Sequence, residues 1–137
     1  MENSFKSLVA VGGAAISFFF GGWSTLLGVL LAFVVMDYLS GMVAAAIEGV
    51  LSSSVGLKGI ARKVFIFGLV AVANLVDTAI ADGHVFRDAT IFFYLANELL
   101  SIVENSGRIG LPVPDLIKQA VEILKGKSVG KEEKKNA

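Results

Sequence analysis

From Ser7 to Met36 the chain runs thirty residues without one charged side chain. As a single helix that stretch would extend about 45 Å at 1.5 Å per residue, against a bilayer hydrocarbon core of about 30 Å. A cleaved leader does not explain it, because the run is about twice the usual apolar region of a signal peptide and further apolar segments follow. Of the 137 residues 55% are hydrophobic and 18% charged, with twelve basic and twelve acidic side chains. A soluble domain carries about 25% charge, and one small core cannot hide so much apolar surface. The chain therefore reads as an all-α integral membrane protein rather than a soluble enzyme. Balanced charge leaves no bulk attraction for nucleic acid.

Gly21-Gly22-Trp23-Ser24 divides the long run. The glycine pair disfavours helix, and Trp23 is the residue type that anchors at a membrane–water interface. Four spans result, at about residues 5–22, 24–47, 64–81 and 89–103. A second partition keeps one long tilted helix over residues 12–36 and gives three. With four spans and a cytoplasmic N-terminus, eleven of the twelve basic residues lie inside, Lys58, Arg62 and Lys63 in the loop 48–63 among them, and only Arg87 lies outside. That bias satisfies the positive-inside rule and puts both termini in the cytoplasm. The three-span partition keeps the same loop and tail inside, so charge does not separate the two.

Residues 1–110 thus form a transmembrane domain. Leu111-Pro112-Val113-Pro114 ends any membrane helix. Residues 111–125 carry apolar positions near helical period and predict a short amphipathic cytoplasmic helix lying on the membrane or on a partner. Residues 126–137 read as a disordered, charged tail.

The costly residues are Asp37, Asp77, Glu98 and Glu104. A carboxylate at a helix centre costs roughly 2.5–3.5 kcal/mol on insertion scales. Asp77 lies one turn from an end, where a carboxylate can snorkel. Asp37 must face protein or water, or carry a proton. Its span holds small residues at four-residue spacing, Gly28 and Ala32, then Gly41 and Ala45, a pattern that lets helix backbones approach in lipid. In the last span Tyr94, Asn97, Glu98, Ser101, Glu104, Asn105 and Arg108 recur at steps of three and four and form one polar stripe. Such a stripe turns toward a bundle interior, a water-filled lumen or the interface. Glu104 and Arg108 sit at ion-pair spacing. The Phe18-Phe19-Phe20 run reads as lipid-facing. His84 stands alone with too few neighbouring ligands for a metal, and neither a catalytic triad, a phosphate loop nor a zinc motif is present. No cofactor is expected.

Several blocks, taken in order, resemble one family. They are Gly21-Gly22-Trp23, Met36-Asp37-Tyr38-Leu39-Ser40-Gly41, Leu51 through Lys63, Phe93-Tyr94-Leu95-Ala96-Asn97-Glu98, Ser101-Ile102-Val103-Glu104-Asn105 and Gly110-Leu111-Pro112-Val113-Pro114. Together they are similar to the toxin-secretion/phage-lysis holins, a family that includes small holins of phages of Gram-positive bacteria and the clostridial toxin-export holin. Ser40 stands where the family pattern has Thr, and Ser24 where an acidic or amide residue often follows the Trp. The resemblance implies a homo-oligomer in the cytoplasmic membrane that opens a lesion or pore for an endolysin or a large toxin. On that expectation the stripe Asn97, Glu98, Ser101, Glu104 and Asn105 lines the opening, and the row Asp37, Gly41 and Ala45 forms the subunit contact. Two other classes fit the residues: a dimeric proton-coupled transporter using Asp37 or Glu98, and a membrane scaffold recruiting a partner through its C-terminal helix.

Overall fold

The computed structural model describes residues 1–119 and 122–123. It contains four long helices, α1 (Glu2–Phe20), α2 (Thr25–Ile47), α3 (Ser53–Ile80) and α4 (Val85–Ile109), and no strand among the described residues. By length and composition α1, α2 and α3 can cross a membrane. The 25 residues of α4 give it the length, but its polar stripe denies it the apolarity.

The break after Phe20 is built from a left-handed glycine and a serine cap. Gly21 has φ +69°, and its N–H closes α1 on the Ser17 carbonyl at 3.0 Å. A Cβ there would sit 2.7 Å from Asn74 Oδ1 and 2.8 Å from His84 Cε1, so both conformation and crowding require glycine. Ser24 then opens α2, its Oγ accepting from the Leu27 N–H at 3.1 Å. One helix over residues 12–36 therefore does not form.

The basic loop expected over residues 48–63 is mostly helix. Ser52 caps α3, accepting from the Val55 N–H at 3.2 Å, so Lys58, Arg62 and Lys63 ride on α3 rather than precede it. Gly56 and Gly59 argue against helix by propensity. Here they make room for Tyr38: a Cβ on Gly59 would lie 3.3 Å from its ring, and the Tyr38 hydroxyl donates to the Gly56 carbonyl at 3.4 Å. Packing has overridden propensity. The last helix is longer than the expected 89–103 at both ends. It closes at Gly110 (φ +94°) before Pro112 and Pro114, and residues 115–119 begin another helical stretch. The remainder of the predicted amphipathic helix and the whole tail 126–137 lie outside the described residues.

The chain direction makes α2 and α4 parallel, with α3 antiparallel to both. α2 packs most extensively on α4, and α1 mainly touches α3. Leu27, Leu30, Val34, Ile66, Val70 and Ile91 form the buried apolar core. The outward faces are apolar as well: Leu31, Val35 and Leu39 on α2, Val72 and Val76 on α3, Phe92, Phe93 and Leu99 on α4. The buried polar side chains, by contrast, are Asp37, Asn74, Asp77, Arg87, Glu98 and Asn105. This is the reverse of a soluble bundle and suits a lipid surround.

No residue of α1 is buried. It is joined to the bundle through its last turn, where two of the carbonyls that a helix end leaves unpaired find side chains. Asn74 Nδ2 donates to the Phe18 carbonyl at 3.3 Å and Arg87 Nη1 to the Phe20 carbonyl at 2.9 Å. Phe18 and Phe19 are exposed, whereas Phe20 turns inward with its ring edge-on to Phe67.

Candidate functional site

A polar seam runs down the junction of α2, α3 and α4, one side chain per turn. Its centre is Lys63. The ammonium donates to Asp37 Oδ2 at 2.5 Å and to Glu98 Oε2 at 2.9 Å, drawing one residue from each helix into a single ion cluster. Asp37 stands twelve residues into α2, about 18 Å along it, and so lies well inside any span α2 makes. Its other oxygen accepts from Asn105 Nδ2 at 2.9 Å, and the same amide reaches the Asp37 carbonyl and Ser40 Oγ. Gly41 lets α4 come this close: a Cβ there would lie 3.3 Å from Asn105 Nδ2.

One turn further, Arg108 Nη1 donates to Asn105 Oδ1 at 3.2 Å, and the guanidinium grips Glu48 with two bonds, 2.8 and 3.0 Å. Glu48 caps α2 at its C-terminal end. The Arg108 hydrogen bonds hold its carboxyl below the usual carboxylate range. Beside the expected Glu104–Arg108 spacing the structure thus adds a bond between helices, and the charge of Glu104 also favours the Arg108 cation. The added bond has a geometric reason, since the forked guanidinium meets a carboxylate two-on-two across α2 and α4.

A second polar cluster sits at the opposite end. Asp77 is 1% exposed and does not snorkel. Its carboxylate accepts from the N–H groups of Phe86 at 2.8 Å and Arg87 at 2.7 Å, and so caps the start of α4 from the neighbouring helix. Inward orientation wins because it satisfies two donors that a helix start leaves unpaired. His84 occupies the N-cap position of α4 without a side-chain cap bond. Asp82 lies against Asp77 with its Oδ1 buried and unbonded among the described residues. Burial first, and then Asp77, push its carboxyl up from the ordinary value. No group of ligating side chains among the described residues could hold a metal ion.

Beside the ion cluster, α2, α3 and α4 enclose a cleft of about 650 Å³ whose walls include Asp37, Gly41, Ala45, Arg62, Lys63, Tyr94, Asn97, Glu98, Ser101 and Asn105. Most of the predicted stripe therefore converges on one space. Glu98 and Asn105 are buried, Tyr94 and Ser101 half-buried, Asn97 and Glu104 exposed. The small-residue row separates. Gly41 and Ala45 pack inside the chain against α4, Gly28 lies under the exposed Trp23 ring, and Ala32 faces outward. Sequence reasoning left out Glu48 and Asn74 and read Arg87 only as a charge of the outer turn. Arg87 shares a face with Ile91, Tyr94 and Glu98 at steps of four, three and four, and Asn74 shares one with Lys63, Val70 and Asp77.

The bacteriophage holin family matches residues 14–126, a stretch that contains α2, α3, α4 and the entire seam. A probable holin of Bacillus phage phi105 is 34% identical over 108 residues, covering 79% of this chain and 80% of that protein. The chain belongs to the bacteriophage holin family. An uncharacterised protein of Halalkalibacterium halodurans is 51% identical over 131 residues, 92% of this chain and 97% of its own length. An uncharacterised 14.9 kDa protein of Clostridium perfringens is 36% identical over 116 residues, 84% of this chain and 88% of its own. No solved structure matches. Family and apolar helices together make this holin-family chain a protein of the cytoplasmic membrane.

Proposed function

We propose that this chain is a working holin. It crosses the membrane four times with both termini in the cytoplasm, assembles with copies of itself, and opens a lesion through which an endolysin or a large toxin leaves. The observation that carries the fourth crossing is the way α4 distributes its side chains. Its outward face is Phe92, Phe93 and Leu99, exposed, while Glu98 and Asn105 point into the bundle. At 25 residues it extends about 37 Å, enough for a core of about 30 Å. A helix lying at the interface would instead turn its polar side to water.

In the single subunit the seam is satisfied within the chain, so the buried acids cost little while copies are few. Crowding changes the available partners. The α2 face of Gly41 and Ala45 fits α4 of its own chain, and the same pair of faces fits between chains, as in an exchange of identical elements. Once α2 and α4 partner across subunits, Tyr94, Asn97, Glu98, Ser101, Glu104 and Asn105 are free to line a shared aqueous opening. Support for this reading comes from family membership together with the cleft those side chains already border.

The test is co-expression in a bacterium with a cytoplasmic peptidoglycan hydrolase. The expected result is lysis that needs both proteins, with Glu98→Leu inserting normally but delaying or abolishing lysis. Glu98 is the informative position because Lys63 keeps Asp37 when it is replaced. Unchanged timing in Glu98→Leu refutes the lumen assignment, and proton-coupled solute flux without enzyme release refutes the holin.

A further inference from the structure

We infer that the cleft between α2, α3 and α4 is a lipid-headgroup site, binding the phosphodiester of an anionic membrane phospholipid through Arg62. It rests on the membrane reading and not on the pore. The cleft's carboxylates are already engaged, Asp37 by Lys63 and Asn105 and Glu98 by Lys63, and Arg108 is held by Glu48. What remains on the wall is a set of donors. Arg62, Tyr94, Asn97 and Ser101 border the cleft, and none has a side-chain hydrogen-bond partner among the described residues. Arg62 and Asn97 are exposed at the cleft and Tyr94 and Ser101 half-buried in it, so a guanidinium, a phenol, an amide and a hydroxyl are open to a ligand rich in acceptor oxygens, and the one uncommitted cation among them favours an anion.

Size and position favour a lipid over free phosphate. A cleft of about 650 Å³ falls in the range of small-molecule sites, about 300–1,000 Å³, and far exceeds one small oxyanion. Met42, Phe65 and Leu69 complete its wall with apolar surface suited to the first methylenes of an acyl chain. Depth agrees. The 28 residues of α3 extend about 42 Å, roughly 12 Å more than a hydrocarbon core of about 30 Å. With that excess on the cytoplasmic side, as in the proposed topology, α3 enters the core about eight residues in, just before Arg62, at the headgroup boundary.

The full chain is purified in mild detergent from membranes containing phosphatidylglycerol and phosphatidylcholine, and bound lipid is counted by native mass spectrometry. The wild type is expected to retain one anionic phospholipid, Arg62→Gln to retain it at least about fivefold less, and Lys58→Gln, which removes a charge one turn away but outside the cleft wall, to match the wild type. Asn97→Leu provides a second reading of the cleft should Arg62→Gln fold poorly, with the same loss expected. Equal retention in Arg62→Gln and wild type overturns the proposal. Equal loss in Lys58→Gln reduces it to general surface attraction, and displacement of the lipid by millimolar inorganic phosphate assigns the site to the free ion. Insertion and lysis are scored separately, so loss of the lipid with lysis intact leaves the holin reading standing.

Discussion

Lys63→Met is the sharpest probe of the seam. The wild-type ammonium bonds two carboxylates at 2.5 and 2.9 Å, with all three side chains at most 15% exposed. Two unit charges about 4 Å apart at an effective dielectric of about 20 attract by about 4 kcal/mol, and desolvation returns much of that. Removing one partner from a buried pair costs about 3–5 kcal/mol, because the abandoned charge stays buried. Methionine keeps the length and apolar stem of lysine, so packing changes little and the loss is electrostatic. We expect Lys63→Met to lose about 3 kcal/mol, a large share of a typical 5–15 kcal/mol. Glu98→Leu, which leaves Lys63 with Asp37, should lose less. The double variant Lys63→Met/Glu98→Leu should be more stable than the sum of the singles by about 1–2 kcal/mol, since it removes one of the two carboxylates that the first change orphaned. The assay is reversible unfolding of the detergent-solubilised chain by circular dichroism against rising denaturing surfactant. A Lys63→Met variant within about 0.5 kcal/mol of wild type, or strict additivity in the double, refutes the ion cluster as a structural unit.

Two further outcomes follow from the two ends of the molecule. Gly21→Val forces a β-branched residue to φ +69° and drives its Cβ against Asn74 and His84; the strain of about 1–3 kcal/mol should free α1 from the bundle, read as faster amide exchange at the last turn of α1 with α2–α4 unchanged. At the end of the seam where α2 closes, Glu48 has its carboxyl pKa lowered by Arg108. A group depressed in the folded state contributes above its unfolded pKa and loses that contribution as pH falls through the folded value. Stability should therefore drop below about pH 4.5 in the wild type and drop less in Glu48→Gln, measured by pH-dependent unfolding.

Much of the seam was legible once helical period was applied to buried polar and apolar positions together. On α2 the row is Leu27, Leu30, Val34, Asp37, Gly41, Ala44 and Glu48; on α3 it is Lys63, Ile66, Val70, Asn74 and Asp77. Each row is apolar in part and polar in part, so a hydrophobic pattern alone sees only half of it. Lys63 read as a topology charge because basic residues beside an apolar run usually are, and only the tertiary fold shows that α3 starts early enough to carry it inward. The Gly21–Ser24 break was readable because glycine and serine act locally. The α3 start was not, because Gly56 and Gly59 are explained only by Tyr38, eighteen and twenty-one residues away in sequence. The bond from Arg108 to Glu48 was likewise hidden, because it is made by the parallel pairing of α2 and α4 across sixty residues of sequence.

For the proposed fourth crossing, the placement of the two clusters bears on how α4 is carried into lipid. Alone, its carboxylates and amides would cost several kcal/mol against the few tenths returned by each apolar residue. α4 does not face that cost alone. Asp77 holds the first N–H groups of α4 from the end of α3, and Lys63 near the other end of α3 meets Glu98. These two ties join α3 and α4 into a hairpin in which Asp77 and Glu98 are both satisfied. The hairpin presents Val72, Val76, Phe92 and Phe93 to the outside, so it meets lipid as an apolar pair. Asp37 and Asn105 then join α2 to it through contacts that carry no covalent constraint beyond the loops. Bonds of that kind hold the single subunit together, and in the proposed assembly the same bonds form with a neighbour's α2, which is the property a subunit needs if it is to remain closed when dilute and rearrange when crowded.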